Sequence, residues 1–202
     1  MRPVRITVTA AGNSQWIPIN YIETAFAVGL GVVPWSTATG LTYNVQHSFD
    51  DLDQTRVAGN SIQITRVGTT ATVFDPGPDG LGHGMSTGDN VIIGGSGPPF
   101  DTLRTGVGIQ NGDLGADITV TSNTAYTYTV ANSGPLADSG AAWLRRMRVF
   151  PHATLNSGTG NPGLTGLRAD GNYAFPVRAI RLKANTLTGG AVDLLILQGS
   201  AR

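Results

Sequence analysis

Apolar and polar residues alternate with a two-residue period in several separated stretches of the chain. Val4, Ile6 and Val8 alternate with Arg5, Thr7 and Thr9. Leu41, Tyr43, Val45 and His47 share one side of a second stretch, Thr42, Asn44 and Gln46 the other, and Phe49 extends the apolar side. Tyr173, Phe175 and Val177 alternate with Ala174, Pro176 and Arg178; past the break at Pro176, Ile180 and Leu182 face away from Arg181 and Lys183. This is the period of a half-buried strand. Residues 191–197 are almost continuously apolar, with Asp193 the exception, which suits a central strand covered on both faces, or on one face and by a partner. Residues 25–33 are apolar but contain Gly29 and Gly31. A helix loses about 1 kcal/mol at each glycine, so the run predicts a strand with a bulge or a close backbone neighbour. Pro18, with no N–H to donate, makes Trp16, Ile17, Ile19 and Tyr21 part of an extended edge segment. The helical period appears nowhere at length; only residues 143–150 have room for a turn or two of helix.

The middle of the chain has a different texture. Ile62, Ile64 and Val67, then Val73, Val91 to Ile93, Ile118 and Val120, and Tyr126, Tyr128 and Val130 mark short β segments. Dense turn residues at 75–80 and 94–99 separate them, and 132–140 is a linker of small residues. Asp170-Gly171 reads as a further turn. The expected fold is all-β: a β-sandwich or jelly-roll-like main domain from residues 1–55 plus 142–202, with a small β module inserted at 56–141.

Composition narrows the function. The 202 residues carry 13 basic and 13 acidic side chains, and charged residues make up 13% of the chain, about half the usual share. Lys183 is the only lysine and Glu23 the only glutamate. A neutral chain of this kind has little attraction for nucleic acid or an anionic membrane, and neither is expected as a partner. It also has little charge to hold neighbours apart, so a surface covered in an assembly is expected. Cysteine is absent, which excludes disulfides and thiolate metal sites. The first residues lack the apolar region of a signal peptide, and no window approaches the ~18 apolar residues of a membrane helix, so synthesis in a host cytoplasm is the expectation.

The run DGNYAFPVRAIRL at 170–182, followed by an apolar strand ending in Leu197-Gln198, resembles small β-rich structural proteins of tailed bacteriophages, of the capsid cement or decoration type. Those proteins also carry an early WIP, present here as Trp16-Ile17-Pro18, a VGLGVV run, present at 28–33, and a V-x-H-x-F-D-D segment, present at 45–51. They pass almost directly from the Phe-Asp-Asp segment to an aromatic-rich segment like 143–151, which is why the middle reads as an insertion. The run HGMSTGDNVII at 83–93, with YTYTV at 126–130, is similar to small β modules of phage virion proteins. The resemblance implies a non-enzymatic virion structural protein at the capsid surface, a homo-oligomer (dimer or trimer) that bridges and stabilises subunits of the major capsid protein. The alternatives it leaves are a carbohydrate-binding module of a head fibre or tail spike, and a head–tail adaptor or tail component.

No motif for chemistry stands against this. Gly95-Ser96-Gly97 runs into two prolines and is a loop rather than a nucleophile elbow, and the glycine-rich stretches lack a phosphate-loop lysine. His47, His83 and His152 can in principle share a metal, but each has a plainer place on a strand, beside a glycine turn, or after a proline. Asp50, Asp51 and Asp53 lack the glycine and terminal glutamate of a calcium loop and suit a capped strand end. Carboxylates fall at turns, with Glu23 alone in an apolar context, so no glycosidase pair is expected. No catalytic residue, metal or cofactor is therefore expected. The expected interface residues are Trp16, Ile17, Ile19 and Tyr21, crowded around Pro18; Leu195 and Leu197 on the last strand; and the basic cluster Arg145, Arg146 and Arg148, which suits an acidic partner surface. Trp16 and Trp35 also suit stacking on a sugar, and Trp16 equally suits the core.

Overall fold

A computed structural model of the chain describes residues 3–21, 27–50, 62–77, 80–102, 115–138, 143–156, 158–160 and 169–199. Among the described residues the fold is all-β, with antiparallel sheets and no helix. The chain divides into two compact units, Met1–Phe49 with Phe150–Arg202, and Asp50–Val149. The boundaries therefore fall at 50 and 149 rather than at 56 and 141.

The strands before the second unit are β1 (Val4–Val8), β2 (Gly12–Asn13), β3 (Ile17–Pro18), β4 (Val28–Pro34) and β5 (Thr39–Ser48). The second unit holds β6 (Gln63–Val67), β7 (Thr70–Phe74), β8 (Asn90–Gly94), β9 (Ala116–Asp117), β10 (Thr119–Ser122), β11 (Ala125–Thr129) and β12 (Trp143–Met147). The first unit resumes with β13 (Phe150–Pro151), β14 (Gly158–Gly160), β15 (Ala169–Tyr173), β16 (Ala179–Thr188) and β17 (Val192–Gln198).

The first unit is a β-sandwich. One sheet has the order β1-β17-β4-β15; the other has β5 and β16 at its centre, β13 and β14 beyond β5, and β2 and β3 beyond β16. Alternation dictates what lies between them. Ile6, Val8, Val28, Leu30, Val32, Val192, Leu194 and Ile196 from one sheet meet Leu41, Tyr43, Val45, Ile180, Leu182 and Ala184 from the other, all buried. Burying a side chain of this size contributes about 1.5–3 kcal/mol, an upper figure because the unfolded chain already hides some surface. The pairings are nested: β1 with β17, β2 and β3 with β16, β4 with β15, β5 with β13 and β14. The first unit is thus one long antiparallel ribbon rolled up on itself, closed where β17 pairs β4 and β16 pairs β5.

Three local expectations change. Residues 143–147 form strand β12, paired with β8 from Trp143↔Gly94 to Met147↔Asn90, so this segment belongs to the second unit and not to a resumed main domain. Asp170-Gly171 is not a turn but lies inside β15; the glycine is there because a Cβ would stand 2.9 Å from His152 Cε1 and 2.9 Å from Leu155 Cδ1. Strand β4 runs through Gly29 and Gly31 in unbroken register with both neighbours, with no bulge.

The second unit has a four-stranded sheet, β10-β11-β7-β6, and a three-stranded one, β12-β8-β9. Ile64, Val73, Tyr126 and Tyr128 of the first share a core with Val91, Ile93 and Leu144 of the second. Its loops are tied by buried polar groups. Asp75, fully buried, accepts from Arg146 Nε at 3.0 Å through one oxygen, and through the other from the Gly77 N–H at 3.1 Å and from the Arg146 guanidinium. Arg66, 7% exposed, donates to the carbonyls of Gly68, Gly134 and Pro135 and to Asn132 Oδ1.

Candidate functional site

The first unit leaves two notable surfaces exposed, one aromatic and one mixed, and local sequence accounts for both. The first closes one end of the sandwich. His47 and Tyr173 are the last inward-facing positions of β5 and β15, and they share a 3.0 Å hydrogen bond between the phenol oxygen and His47 Nδ1. Phe49, Phe150 and Phe175 gather over them: ring centroids lie 5.3, 5.7 and 5.7 Å from His47, and Phe49 and Phe150 stand 5.3 Å apart. Proline follows two of the three, as Phe150-Pro151 and Phe175-Pro176. Pro176 follows the end of β15, and Phe175 is held between strands rather than in a ladder. The three rings remain 42–47% exposed. Burial, and secondarily the charge of His152, lowers the His47 pKa to about 4, so its imidazole is neutral at pH 7. Burial raises the Tyr173 pKa, so the phenol keeps its proton. The cap is an uncharged aromatic surface.

The second surface is the outer face of the β1-β17-β4-β15 sheet. The residues alternate away from the core there: Arg5 and Thr7 on β1, Asp193, Leu195 and Leu197 on β17, Gly29 and Gly31 on β4, Asp170 and Asn172 on β15. Leu195 and Leu197 are 36% and 49% exposed. One edge is fixed by Asp193, which accepts from Arg5 at 2.6 Å, Thr7 Oγ1 at 2.6 Å and Trp35 Nε1 at 2.8 Å. Burial alone would raise the Asp193 pKa; these hydrogen bonds and the Arg5 charge outweigh it and lower it.

The expected interface residues separate. Trp16 is fully buried and offers no surface, which corrects its assignment to an interface. Between β2 and β3 the chain has one residue more than β16 opposite it: Asn13 pairs with Lys183 and Ile17 with Ile180. Ser14 is held there by its N–H to the Leu182 carbonyl and by its Oγ, which accepts from the Leu182 N–H. This local irregularity lays Trp16 on the Arg181 guanidinium, 4.6 Å from the ring centroid, and Arg181 in turn donates to Gln46 Oε1 at 2.8 Å. Ile19 is buried in the core and Ile17 packs against it; Tyr21 is half-buried under Arg178. Leu195 and Leu197 do stand exposed. The basic cluster is not one patch: Arg146 is taken up by Asp75, Arg145 is half-buried, and Arg148 is exposed with its backbone N–H on Asp50. Asp51, Asp53 and Glu23 lie outside the described residues.

Two of the histidines have structural work. His83 Nδ1 accepts from the Met85 N–H and Nε2 faces the Ser122 carbonyl at 2.9 Å. His152 does the same with the Thr154 and Leu155 N–H groups and the Asn172 carbonyl. Each pins a turn to a neighbouring strand. Among the described residues, no three of His, Asp or Glu are grouped to hold a metal ion.

No family model, curated protein or solved structure matches the chain.

The aromatic cap was missed at the sequence level because its members come from three distant segments. The repeated Phe-Pro pair was the available signal.

Proposed function

We propose that this is a non-enzymatic virion structural protein, a cement or decoration protein that bridges and stabilises neighbouring major capsid subunits of a tailed phage. The observation that carries the reading is the aromatic cap. Three phenylalanines converge from separate segments and stay exposed on a chain with almost no net charge, as a docking surface for another protein requires. The nested strand order, which we read as a jelly roll, supports it, since viral capsid domains share that architecture with lectins and cupins. Fold alone does not give function, so the phage assignment rests on the resemblance of residues 16–18, 28–33, 45–51 and 170–182. In this reading the attachment surface is Phe49, Phe150 and Phe175 in place of Trp16, and contact is apolar rather than salt-sensitive.

The test is quantitative mass spectrometry of purified virions together with re-addition of purified protein to stripped capsids. Hundreds of copies per particle and restored capsid stability are expected; about a dozen copies would make it a head–tail adaptor or tail component, and none would overturn the reading. Phe175→Ala should weaken attachment by about 2 kcal/mol, the scale of an interface hot spot, with the melting temperature little changed.

One observation favours a carbohydrate-binding module instead. Trp35 is 45% exposed beside Asp193, on the face that also carries Asp170 and Asn172. A glycan array of host polysaccharides separates the two: binding lost in Trp35→Ala supports the module, and none above background leaves the cement role.

A further inference from the structure

We infer that the outer face of the β1-β17-β4-β15 sheet is the contact surface between two copies of this chain, related by a two-fold axis that runs along the strands between β4 and β17. The argument starts from strand register. Asp170 lies opposite Gly31, Gly31 opposite Leu195, and Leu195 opposite Arg5, so these four form one row straight across the sheet. The next row reads Asn172, Gly29, Leu197. Turning a second copy over about the proposed axis reverses the order of a row. Asp170 then meets Arg5 of the other copy, and Leu195 meets Gly31. In the neighbouring row Leu197 meets Gly29. A closed dimer requires this self-complementarity: what residue i finds in j, j finds in i.

The glycines sharpen the point. Glycine in a strand interior weakens the strand and often marks the close approach of another chain. Nothing among the described residues requires them. A Cβ on Gly31 would meet Leu195 at 3.7 Å and one on Gly29 would meet Leu197 at 3.8 Å, both ordinary contacts, and neither glycine has a left-handed backbone. The hollows they leave are those into which the leucines of a facing sheet fit. Face-to-face sheets settle about 10 Å apart at roughly 30°, a spacing that interdigitated leucines fill. Four strands make a face only about 14 Å across from the first axis to the last, so the dimer is expected in the micromolar range rather than tighter.

This surface is distinct from the aromatic cap, and the inference holds whether or not the virion role does. Sedimentation equilibrium of the full chain between about 1 and 100 µM is the first measurement. A reversible monomer–dimer equilibrium is expected. Gly31→Val should weaken it at least tenfold while the chain melts no lower, and Asp170→Arg should weaken it most at low salt. The decisive variant is Arg5→Cys with Asp170→Cys. The chain has no other cysteine, and these two positions are about three strand spacings apart in one copy, too far for an internal disulfide. Oxidation should give a covalent dimer from the double variant and none from either single one. A monomer throughout the range, a dimer indifferent to Gly31→Val, or no cross-link from the double variant would each overturn the proposal. So would a monomer in which Gly31→Val abolishes polysaccharide binding, which would assign the face to a sugar.

Discussion

The two units solve the same problem with different materials. The first buries aliphatic side chains between strands of up to ten residues, and its strands are long enough for alternation to hide a continuous core. No strand of the second exceeds five described residues. Short strands bury less per segment, so loops must be held by other means, and here the means are buried charges: Asp75 with Arg146, and Arg66 in its set of carbonyls. Aliphatic cores tolerate change gradually, through cavities. A buried ion pair fails sharply when one partner is lost, because the other remains charged without compensation. Away from its own buried charges, Arg181 and Asp193, the first unit should lose stability gradually, and the second sharply at Asp75, Arg146 or Arg66.

The largest expected effect tests whether the two are separable. Replacing residues 51–148 with a short Gly/Ser loop should remove one calorimetric transition entirely and leave the other. The ends of the excised segment are already together: Phe150 pairs with His47 and its ring lies 5.3 Å from Phe49. Closing them needs only a few residues. Loss of all cooperative melting would mean that the first unit depends on the second. Next comes brittleness. Arg146→Ala should cost the second unit about 3–5 kcal/mol, while Arg146→Met with Asp75→Leu should recover part of that. Hydrogen exchange in the first unit should be unchanged by either; equal losses in both units would remove the distinction.

The smallest effect concerns pH. His47 has a folded pKa of about 4 against an ordinary 6.5. Between those values the unfolded chain binds a proton that the folded one refuses, so stability falls as pH drops. The slope is about 1.4 kcal/mol per pH unit, roughly 3 kcal/mol across the window, with none above pH 6.5. His47→Gln should flatten this slope in the first unit alone. Asp193 acts lower: its folded pKa lies below 3.8, so its contribution is present above that value and is lost as pH falls through the folded pKa. Urea midpoints from pH 7 to 3 separate the two windows.

Residues 4–8 and 41–47 were legible as strands because each presents one face to one core, which a two-residue period records directly; residues 191–197 were legible as a continuous apolar run. Residues 173–182 were legible as extended but not as a crossing: the chain leaves one sheet at Tyr173 and enters the other at Ala179, and the break at Pro176 marks the passage. Trp16 could not be assigned because its burial depends on one extra residue opposite β16 and on Arg181 lying beneath it. Arg181 reads as solvent-facing from alternation and is fully buried for the same reason. Strand β12 was hidden because Arg145 and Arg146 occupy positions that a simple pattern leaves to solvent, while Arg146 has a buried acid seventy-one residues earlier. Such partners have no local trace.

The rolled ribbon also sets an order of events during synthesis. The partner of β1 is β17, and the pairing of Val4 with Ile196 must wait until almost the whole described chain has left the ribosome. The second unit is made in between, and all its strands are available before β15, β16 and β17 exist. It should therefore fold first, while β4 waits for β15 and β17, the two strands that pair with it. Long-range pairing of this kind is slow to form. The interval leaves the apolar strands of the first half unshielded, and the low share of charged residues gives them little to keep a second nascent chain away. The yield of folded protein should depend on how fast the last thirty or so residues follow the rest.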